Sequence, residues 1–457
     1  MHRFQYLLIA FCCRCYEAAR LHLASLRHQD QLVITKRSKS PKGQGSRSID
    51  AAAALHVIGD THGDTNFLVR SLLSTELFML RKASSANNTY KLDEDALEWK
   101  DSLDPRAAFE VVVLGDMVDR GLNSKRNLLL LKRLCDTQHF GSHMHVLLGN
   151  HEIMTLKYQM AFWKEYDLGD IYMRGDWTEV HRKLALRSTD GPEHELITWL
   201  LERKVAHLSD GVLLMHGGLS NRILENSLTH PAESYEESCS ADGNKSSCGS
   251  ALVNYFNTNA RIYFEQLHKC ILEAKPPSFG EFGQGFVNMF DFRHRAVDCN
   301  TRVSEPAFLH GYDGLAFYRG FSSVQDGAGT EESCSEASRV GERIGVQLMV
   351  VAHSTHRYIL EYCNKCLYAA SSVPVVVTDT HRLDCAENNE CDFDPSVNFH
   401  GLSIDRNKWN VPQSLRVVRQ SDDTYRRQSC LSRVTSDELE VDCAKTPVTD
   451  GRKLFDC

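Results

Sequence analysis

Short apolar runs recur along this chain, and most of them stop at a glycine or a polar residue that begins a turn. Residues 55–58, 109–114, 143–148, 211–215 and 347–351 are such runs, and they predict five β-strands. The run at 109–114 is continuously apolar, as expected of a strand that is buried on both faces. The pattern therefore predicts a sheet in the interior of the molecule.

Helical spacing of apolar residues appears between the predicted strands. It predicts a helix over 64–82, a second helix that begins at Asn123 or Ser124, and a third over 251–274. A further short strand is expected at 375–377. Because strands and helices alternate, as they do in parallel βαβ units, the pattern predicts an α/β fold.

The chain has 457 residues, which is enough for one large catalytic domain with insertions. We predict a targeting segment and linker at 1–50, a catalytic domain at 51–420 and a loose C-terminal tail at 421–457, where the sequence becomes polar. An insertion is expected at about 221–305, and its helix would follow a loop at 229–250.

Composition and charge narrow the possible partners. Hydrophobic residues make up 42% and charged residues 25%, which is ordinary for a globular protein. The formal net charge of -8 does not favour nucleic acid or an anionic membrane, and we predict no nucleic-acid partner. No apolar stretch approaches the roughly 20 residues of a membrane span, so no transmembrane segment is expected in the mature chain.

The N-terminal segment and the cysteines bear on the cellular compartment. A basic start before the short apolar run 6–13 suits a secretory signal peptide, whereas the excess of arginine suits an organellar presequence. Of the 16 cysteines, 12 lie after residue 238, and close pairs among them predict disulfides. We predict the secretory pathway or another extracytosolic location, with the mitochondrial intermembrane space or another organelle as the alternative. The close pairs are Cys239 and Cys248, Cys363 and Cys366, Cys385 and Cys391, and Cys430 and Cys443.

Three motifs place polar side chains at the ends of predicted strands. They are Gly-Asp-Thr-His-Gly at 59–63, Gly-Asp-Met-Val-Asp-Arg-Gly at 115–121 and Gly-Asn-His-Glu at 149–152, and two later strands lead to single histidines. Sites in open α/β sheets form beyond the carboxyl ends of strands, so these side chains are expected to converge. The candidate metal ligands are Asp60, His62, Asp116, Asn150, His216 and His353.

Mixed oxygen and nitrogen donors suit manganese, iron or zinc better than calcium. We predict two metal ions, with manganese the most suitable in vitro, and with the carboxylate of Asp116 as the bridge between them. Such a pair lowers the pKa of a bridging water, so that hydroxide can attack phosphorus in line at neutral pH.

Residues next to the candidate ligands suit the hydrolysis of a phosphoester. Arg120 offers a planar guanidinium to phosphate oxygens. His151 is a candidate general acid for the leaving group, and we hypothesise that Asp119 orients it. Three other histidines are expected to be structural: His56, His143 and His145.

The three motifs resemble those of the calcineurin-like metallophosphoesterases and, more narrowly, the GDxHG, GDxxDRG and GNHE motifs of the phosphoprotein phosphatases. The resemblance covers about residues 55–380 and implies a four-layer α/β/β/α sandwich. It also implies an acid pair of His151 and Asp119, and a phosphate contact by Arg120. It implies two ligand sets that share one carboxylate: Asp60, His62 and Asp116 for one metal, and Asp116, Asn150, His216 and His353 for the other.

Several residues differ from the eukaryotic Ser/Thr phosphatases. Leu148 stands where those enzymes carry arginine, Asp64 stands where they carry glutamine, and their SAPNY segment is missing. The chain is more similar to the bacterial-type Shewanella-like phosphatases, which have a Tyr-Arg-Gly motif like the one at 318–320. That resemblance implies a second phosphate-binding arginine, Arg319, and leaves phosphotyrosine open as a substrate.

We therefore predict a metal-dependent phosphoprotein phosphatase that hydrolyses phosphotyrosine or phosphoserine/threonine. One alternative is an esterase of small molecules or nucleotides, such as dinucleoside polyphosphates. A second alternative is a pseudophosphatase that acts as a scaffold through its insertion.

Overall fold

The computed structural model describes residues 54–80, 94–157, 175–177, 180, 191–229, 245–273, 298–323, 330–354, 360–363, 375–377, 413–419, 425–434, 439–446 and 449–450. The predicted targeting segment and linker at 1–50 lie outside these residues, and the proposed domain boundaries stay predictions. Among the described residues, no helix is both long enough and apolar enough to cross a membrane.

Each of the five predicted runs contains a strand, and the structure adds strands that were not predicted, three of them at 78–80, 97–99 and 206–209. The predicted strand at 375–377 is also present. The strands are β1 (Ala54–Ile58), β2 (Phe78–Leu80), β3 (Leu97–Trp99), β4 (Phe109–Val113), β5 (Met144–Val146), β6 (Ala206–Ser209), β7 (Val212–Met215), β8 (Leu348–Val351), β9 (Leu360–Tyr362), β10 (Val375–Val377), β11 (Gln413–Arg419), β12 (Tyr425–Val434), β13 (Leu439–Thr446) and β14 (Thr449–Asp450).

The three predicted helices are present, with different ends for the first and the third, and the structure adds four helices that were not predicted. The main helices are α1 (Thr65–Ser74), α2 (Ser124–Cys135), α3 (Asn150–Leu156), α4 (Pro192–Leu201), α5 (Asn221–Thr229), α6 (Lys245–Glu273) and α7 (Glu331–Ile344). The side chain of Asp64 caps α1 by accepting a hydrogen bond from the N–H of Phe67 at 2.9 Å. The prediction of helix as far as residue 82 is wrong: Glu76 adopts a left-handed conformation and β2 follows it.

The strands form two six-stranded sheets. The first has the order β13-β12-β11-β1-β4-β5, and the second has the order β14-β9-β10-β8-β7-β6. β1, β4 and β5 run parallel in the first sheet, and β7, β8 and β10 run parallel in the second. The carboxyl ends of β1, β4 and β5 therefore lie along one edge of the first sheet, and those of β7 and β8 lie side by side in the second.

A layer of aliphatic side chains joins the two sheets. Leu55 and Val57 belong to this layer, whereas the alternate residue Ile58 belongs to the larger core that the helices share. The other members of the inner layer come from both sheets: Val112, Leu114, Leu147, Val212, Leu214, Leu348, Val350, Ala352 and Leu415.

Helices cover the outer faces of the sheets. Leu72 of α1 and Leu131 of α2 are buried in the same core as Val113 of β4, and Phe264 of α6 is buried in the same core as Val351 of β8. Burial of each such side chain contributes about 1.5–3 kcal/mol relative to its exposure. The predicted α/β sandwich with helices outside two sheets is confirmed.

The prediction of a loose C-terminal tail is wrong for the residues that the structure describes there. β12 and β13 pair antiparallel at the edge of the first sheet, and β12 pairs with β11. The sequence of β13, Leu-Glu-Val-Asp-Cys-Ala-Lys-Thr, alternates apolar and polar residues over its first half. That period-two pattern is typical of a half-exposed strand, and the high polar content concealed it.

The insertion is more helical than the sequence indicated. α6 begins at Lys245 and not near residue 251, so the end of the predicted loop at 229–250 is wrong. Two disulfides join pairs of described residues, and their spacing differs from that of the predicted close pairs. Cys363 bonds to Cys334 across 29 residues, and so it is not the partner of the nearby Cys366. The two disulfides are Cys270–Cys299 and Cys334–Cys363.

Candidate metal centre

Backbone hydrogen bonds join the turns that follow β1 and β4. The N–H groups of Thr61 and His62 donate to the carbonyl of Asp116 at 3.0 and 2.8 Å, and the N–H of Gly121 donates to the carbonyl of His62 at 2.8 Å. The main chains of the first two motifs are therefore hydrogen-bonded to each other. Their polar side chains converge because the strands that carry them are parallel neighbours.

Left-handed backbone conformations are concentrated at this site. Of the nine non-glycine residues with positive φ among the described residues, five belong to the motifs or to the later strand ends. Such conformations cost about 1–3 kcal/mol each and persist where the surroundings enforce them, most often at functional sites. The five residues are His62, Asp116, Asp119, Arg120 and His353.

Gly115 is required where the second and third motifs meet. Its φ is +107°, and a Cβ there would lie 2.2 Å from the backbone nitrogen of Gly149. We expect Gly115→Ala to lower the free energy of unfolding by about 2–5 kcal/mol, because backbone strain and overpacking add. Urea denaturation measures this loss.

Gly311 supplies the matched control for that substitution. Its φ is +64°, but nothing lies within 4 Å of the position where a Cβ would be. Gly311→Ala should therefore show only the cost of the backbone conformation, about 1–2 kcal/mol. Equal losses from both substitutions would contradict the close approach of the two motifs.

Asp60, His62 and Asp116 form the first group of candidate ligands. The Nε2 atom of His62 lies 3.6 Å from Oδ2 of Asp60 and 3.7 Å from Oδ2 of Asp116. All three side chains are buried, with at most 2% of each residue exposed. Two atoms that are each bound to one metal at about 2.1 Å lie about 3–4 Å apart, so these separations suit a shared ion.

The second group surrounds His216. Its Nε2 atom lies 3.3 Å from Oδ2 of Asp116, 3.0 Å from Oδ1 of Asn150 and 3.1 Å from Nδ1 of His353. Asp116 therefore lies in both groups, and the same oxygen of its carboxylate faces His62 and His216. The structure thus brings together all six residues that the sequence proposed as metal ligands.

Two of the imidazoles are oriented by backbone carbonyls. The Nδ1 atom of His62 lies 3.3 Å from the carbonyl oxygen of Val118, and Nδ1 of His216 lies 3.1 Å from that of Leu114. Metal-binding histidines commonly use one ring nitrogen in this way, which leaves the other nitrogen for the metal. The donor types, their separations and this orientation all fit a pair of transition-metal ions.

Burial and neighbouring charges lower the pKa values of both Asp116 and His353. Burial opposes the charge of Asp116, but the imidazoles of His216 and His151 outweigh it and hold the pKa of Asp116 well below its usual range. Burial lowers the pKa of His353, with further contributions from His216 and Arg319. An ionised carboxylate and neutral imidazoles are the forms that bind metals.

His151 and Asp119 lie in direct contact beside these groups. The Nδ1 atom of His151 lies 2.7 Å from Oδ2 of Asp119, and its Nε2 atom lies 3.3 Å from Nη2 of Arg120. Burial raises the pKa of Asp119, and the carboxylates of Glu152 and Asp116 raise it further. Burial lowers the pKa of His151 to about 3. The pair is therefore suited to share one proton between Nδ1 and Oδ2.

Arg319 reaches the same site from a different part of the chain. Its Nη1 atom donates to the carbonyl of His353 at 2.9 Å and to Oγ of Ser354 at 3.1 Å. The N–H groups of Gly217 and Gly218 donate to the carbonyl of Leu315, which holds the segment that carries Arg319 beside His216. Both arginines that the sequence proposed as phosphate ligands thus lie at the centre.

Glu152 has a role that was not predicted from its sequence position. Its buried carboxylate accepts hydrogen bonds from the N–H groups of Gly149, Asp116, Met117 and Val118 at 2.7–3.2 Å. Burial and the nearby Asp116 raise its pKa to about 7, against the effect of these donors. An acidic residue three positions after a helix-starting glycine was the available clue, because that position caps helices.

Part of the chain is similar to a known protein family. Residues 54–246 match the family model described as calcineurin-like phosphoesterase. A search of curated proteins finds no match at the significance threshold.

Solved structures of several phosphatases are similar in part. A cold-active protein-tyrosine phosphatase from a psychrophilic Shewanella species is 18% identical, with a TM-score of 0.43, over 82% of this chain and 80% of that one. A protein serine/threonine phosphatase from Saccharomyces cerevisiae is 14% identical, with a TM-score of 0.37, over 85% of this chain and 82% of that one.

Proposed function

We propose that this protein is a dinuclear metal-dependent phosphoprotein phosphatase, since residues 54–246 match the family model described as calcineurin-like phosphoesterase. It would hydrolyse phosphomonoesters of tyrosine or of serine and threonine. The observation that carries this proposal is the position of Asp116, whose buried carboxylate faces the ligand groups around both His62 and His216.

The first metal would be held by Asp60, His62 and Asp116. The second would be held by Asp116 together with Asn150, His216 and His353. When bound, the two ions would lower the pKa of a water molecule and withdraw charge from phosphoryl oxygens. Manganese, iron and zinc all suit this mixture of oxygen and nitrogen donors.

The remaining residues would bind the phosphoryl group and move protons. Arg120 and Arg319 would hold equatorial oxygens of the phosphoryl group, since a guanidinium presents two parallel N–H donors to an oxyanion. His151 would protonate the leaving oxygen from Nε2, while Asp119 holds its Nδ1 atom. A phosphate dianion that enters the site adds the negative charge that favours a second proton on this pair.

Disulfide bonds support an oxidising compartment. Cys270–Cys299 and Cys334–Cys363 both have disulfide geometry, and disulfides persist mainly outside the reducing cytosol. We therefore propose the secretory pathway or another extracytosolic location, with the mitochondrial intermembrane space as the alternative.

A phosphopeptide panel with added Mn²⁺ tests the proposed function. Peptides that differ only in carrying phosphotyrosine, phosphoserine or phosphothreonine are compared with dinucleoside polyphosphates, at equal concentration. We expect release of phosphate from peptides and little from nucleotides. Activity on nucleotides alone would replace the proposal by a small-molecule esterase, and a metal-replete but inactive protein would support a scaffold.

A further inference from the structure

A second cluster of metal-binding side chains lies away from the candidate metal centre. Glu110 is at the start of β4, His145 is in β5, and His207 is in β6 of the other sheet. Glu110 precedes Asp116 by six residues and lies near the other end of β4. None of the three residues has a role in the proposed phosphatase chemistry.

The fold directs all three side chains into the layer between the sheets. Side chains two residues apart on a strand point to the same face of the sheet. Glu110 precedes Val112 by two residues, and His145 precedes Leu147 by two residues. Both Val112 and Leu147 belong to the inner layer. His207 pairs with Leu214, another member of that layer. The cluster therefore lies in this layer, between β4 and β5 of the first sheet and β6 of the second.

Potential ligand atoms of the three residues lie close together. One ligand atom from each residue lies within 4.8 Å of the others, and Nε2 of His207 lies 2.9 Å from Oε2 of Glu110. The rings of His145 and His207 have centroids 4.1 Å apart. The Glu110 side chain is 34% exposed, so an ion can reach the cluster from solvent.

Burial and neighbouring charges shift the pKa values of Glu110 and His145. Burial opposes the charge of Glu110, but the hydrogen bond and charge of His207 outweigh it and lower its pKa to about 2. Burial lowers the pKa of His145 to about 4, and His207 contributes in the same direction. The nearby ammonium of Lys204 also disfavours a proton on His145.

We propose that Glu110, His145 and His207 form a third metal site that binds Zn²⁺ or a similar transition-metal ion. Two imidazoles and one carboxylate are a common protein ligand set for zinc, with water as the remaining ligand. Since Glu110 and His145 belong to one sheet and His207 to the other, the ion would cross-link the sandwich. Its role would therefore be structural.

Metal stoichiometry tests this proposal on the full chain. Wild-type protein and the variants Glu110→Gln and His145→Ala are equilibrated with Zn²⁺, separated from free metal, and analysed by mass spectrometry of the elements. We expect each variant to lose about one ion per chain relative to wild type, while its hydrolysis of an aryl phosphate with Mn²⁺ is unchanged. Zn²⁺ should also raise the Tm of wild type more than that of either variant.

His139→Asn is the matched control, since His139 is exposed and lies outside the cluster. It should keep the wild-type metal content. Glu110→Gln retains a neutral acceptor for His207, and His145→Ala leaves the Glu110–His207 contact intact, so one variant is informative if the other does not fold. Equal zinc content in wild type and variants would overturn the proposal and leave Glu110 and His207 as an ion pair between the sheets.

Discussion

Replacement of Asp116 by asparagine should abolish both metal loading and hydrolysis of a generic aryl phosphate. The side chain lies in both ligand groups, 3.7 Å from Nε2 of His62 and 3.3 Å from Nε2 of His216. An amide of the same size removes the negative charge and one ligand oxygen at the point where the two groups meet. Because bound metal supplies several kcal/mol of transition-state stabilisation, kcat should fall at least about 10³-fold.

Asp136→Asn is the control for the loss of one carboxylate. Asp136 is exposed at the end of α2 and pairs with Lys132 at 2.6 Å, so its substitution should change neither metal content nor rate. Metal content by elemental analysis and initial rates with Mn²⁺ measure the effect, and circular dichroism checks the fold. Normal activity of Asp116→Asn would refute the dinuclear mechanism.

His151→Asn and Asp119→Asn should give similar and non-additive losses. Their side chains lie 2.7 Å apart and are buried, so Asp119 would act only through the orientation and proton affinity of His151. Removal of a general acid costs about 10²–10⁴-fold in rate. The double variant should be no slower than the slower single variant, as is usual for residues that act as a unit.

The rate losses with two different leaving groups distinguish impaired proton transfer from general damage to the site. An aryl phosphate with an acidic phenol needs little help from an acid, whereas phenyl phosphate needs much more. The losses should therefore be larger for phenyl phosphate. Control variant His310→Asn replaces a largely exposed histidine beside Glu305 and should have no effect. Additive losses, or equal losses with both substrates, would exclude the acid role of the pair.

The local pattern of apolar residues predicted much of the fold, but it failed for strands whose pairing depends on segments distant in sequence. The parallel strands at 55–58 and 109–114 and the helix after Asn123 follow from apolar periodicity, because each element buries its own face. The edge strand β13 and its neighbour β12 were missed. Their polar composition resembles that of loops, and their pairing depends on β11, which joins β1 across some 360 residues of chain.

The donor types and their places at strand ends follow from the sequence, because a strand that stops at a turn presents its next side chains at the edge of the sheet. Which of these donors meet depends on how the strands are arranged in the folded protein. His216 and His353 are 137 positions apart yet lie within 3.1 Å, since β7 and β8 are neighbours in the second sheet. The tertiary structure also places the carboxylate of Glu152 where it accepts hydrogen bonds from four backbone N–H groups. It brings Glu110, His145 and His207 together between the sheets. Such contacts depend on packing between distant segments, which spacing along the chain does not encode.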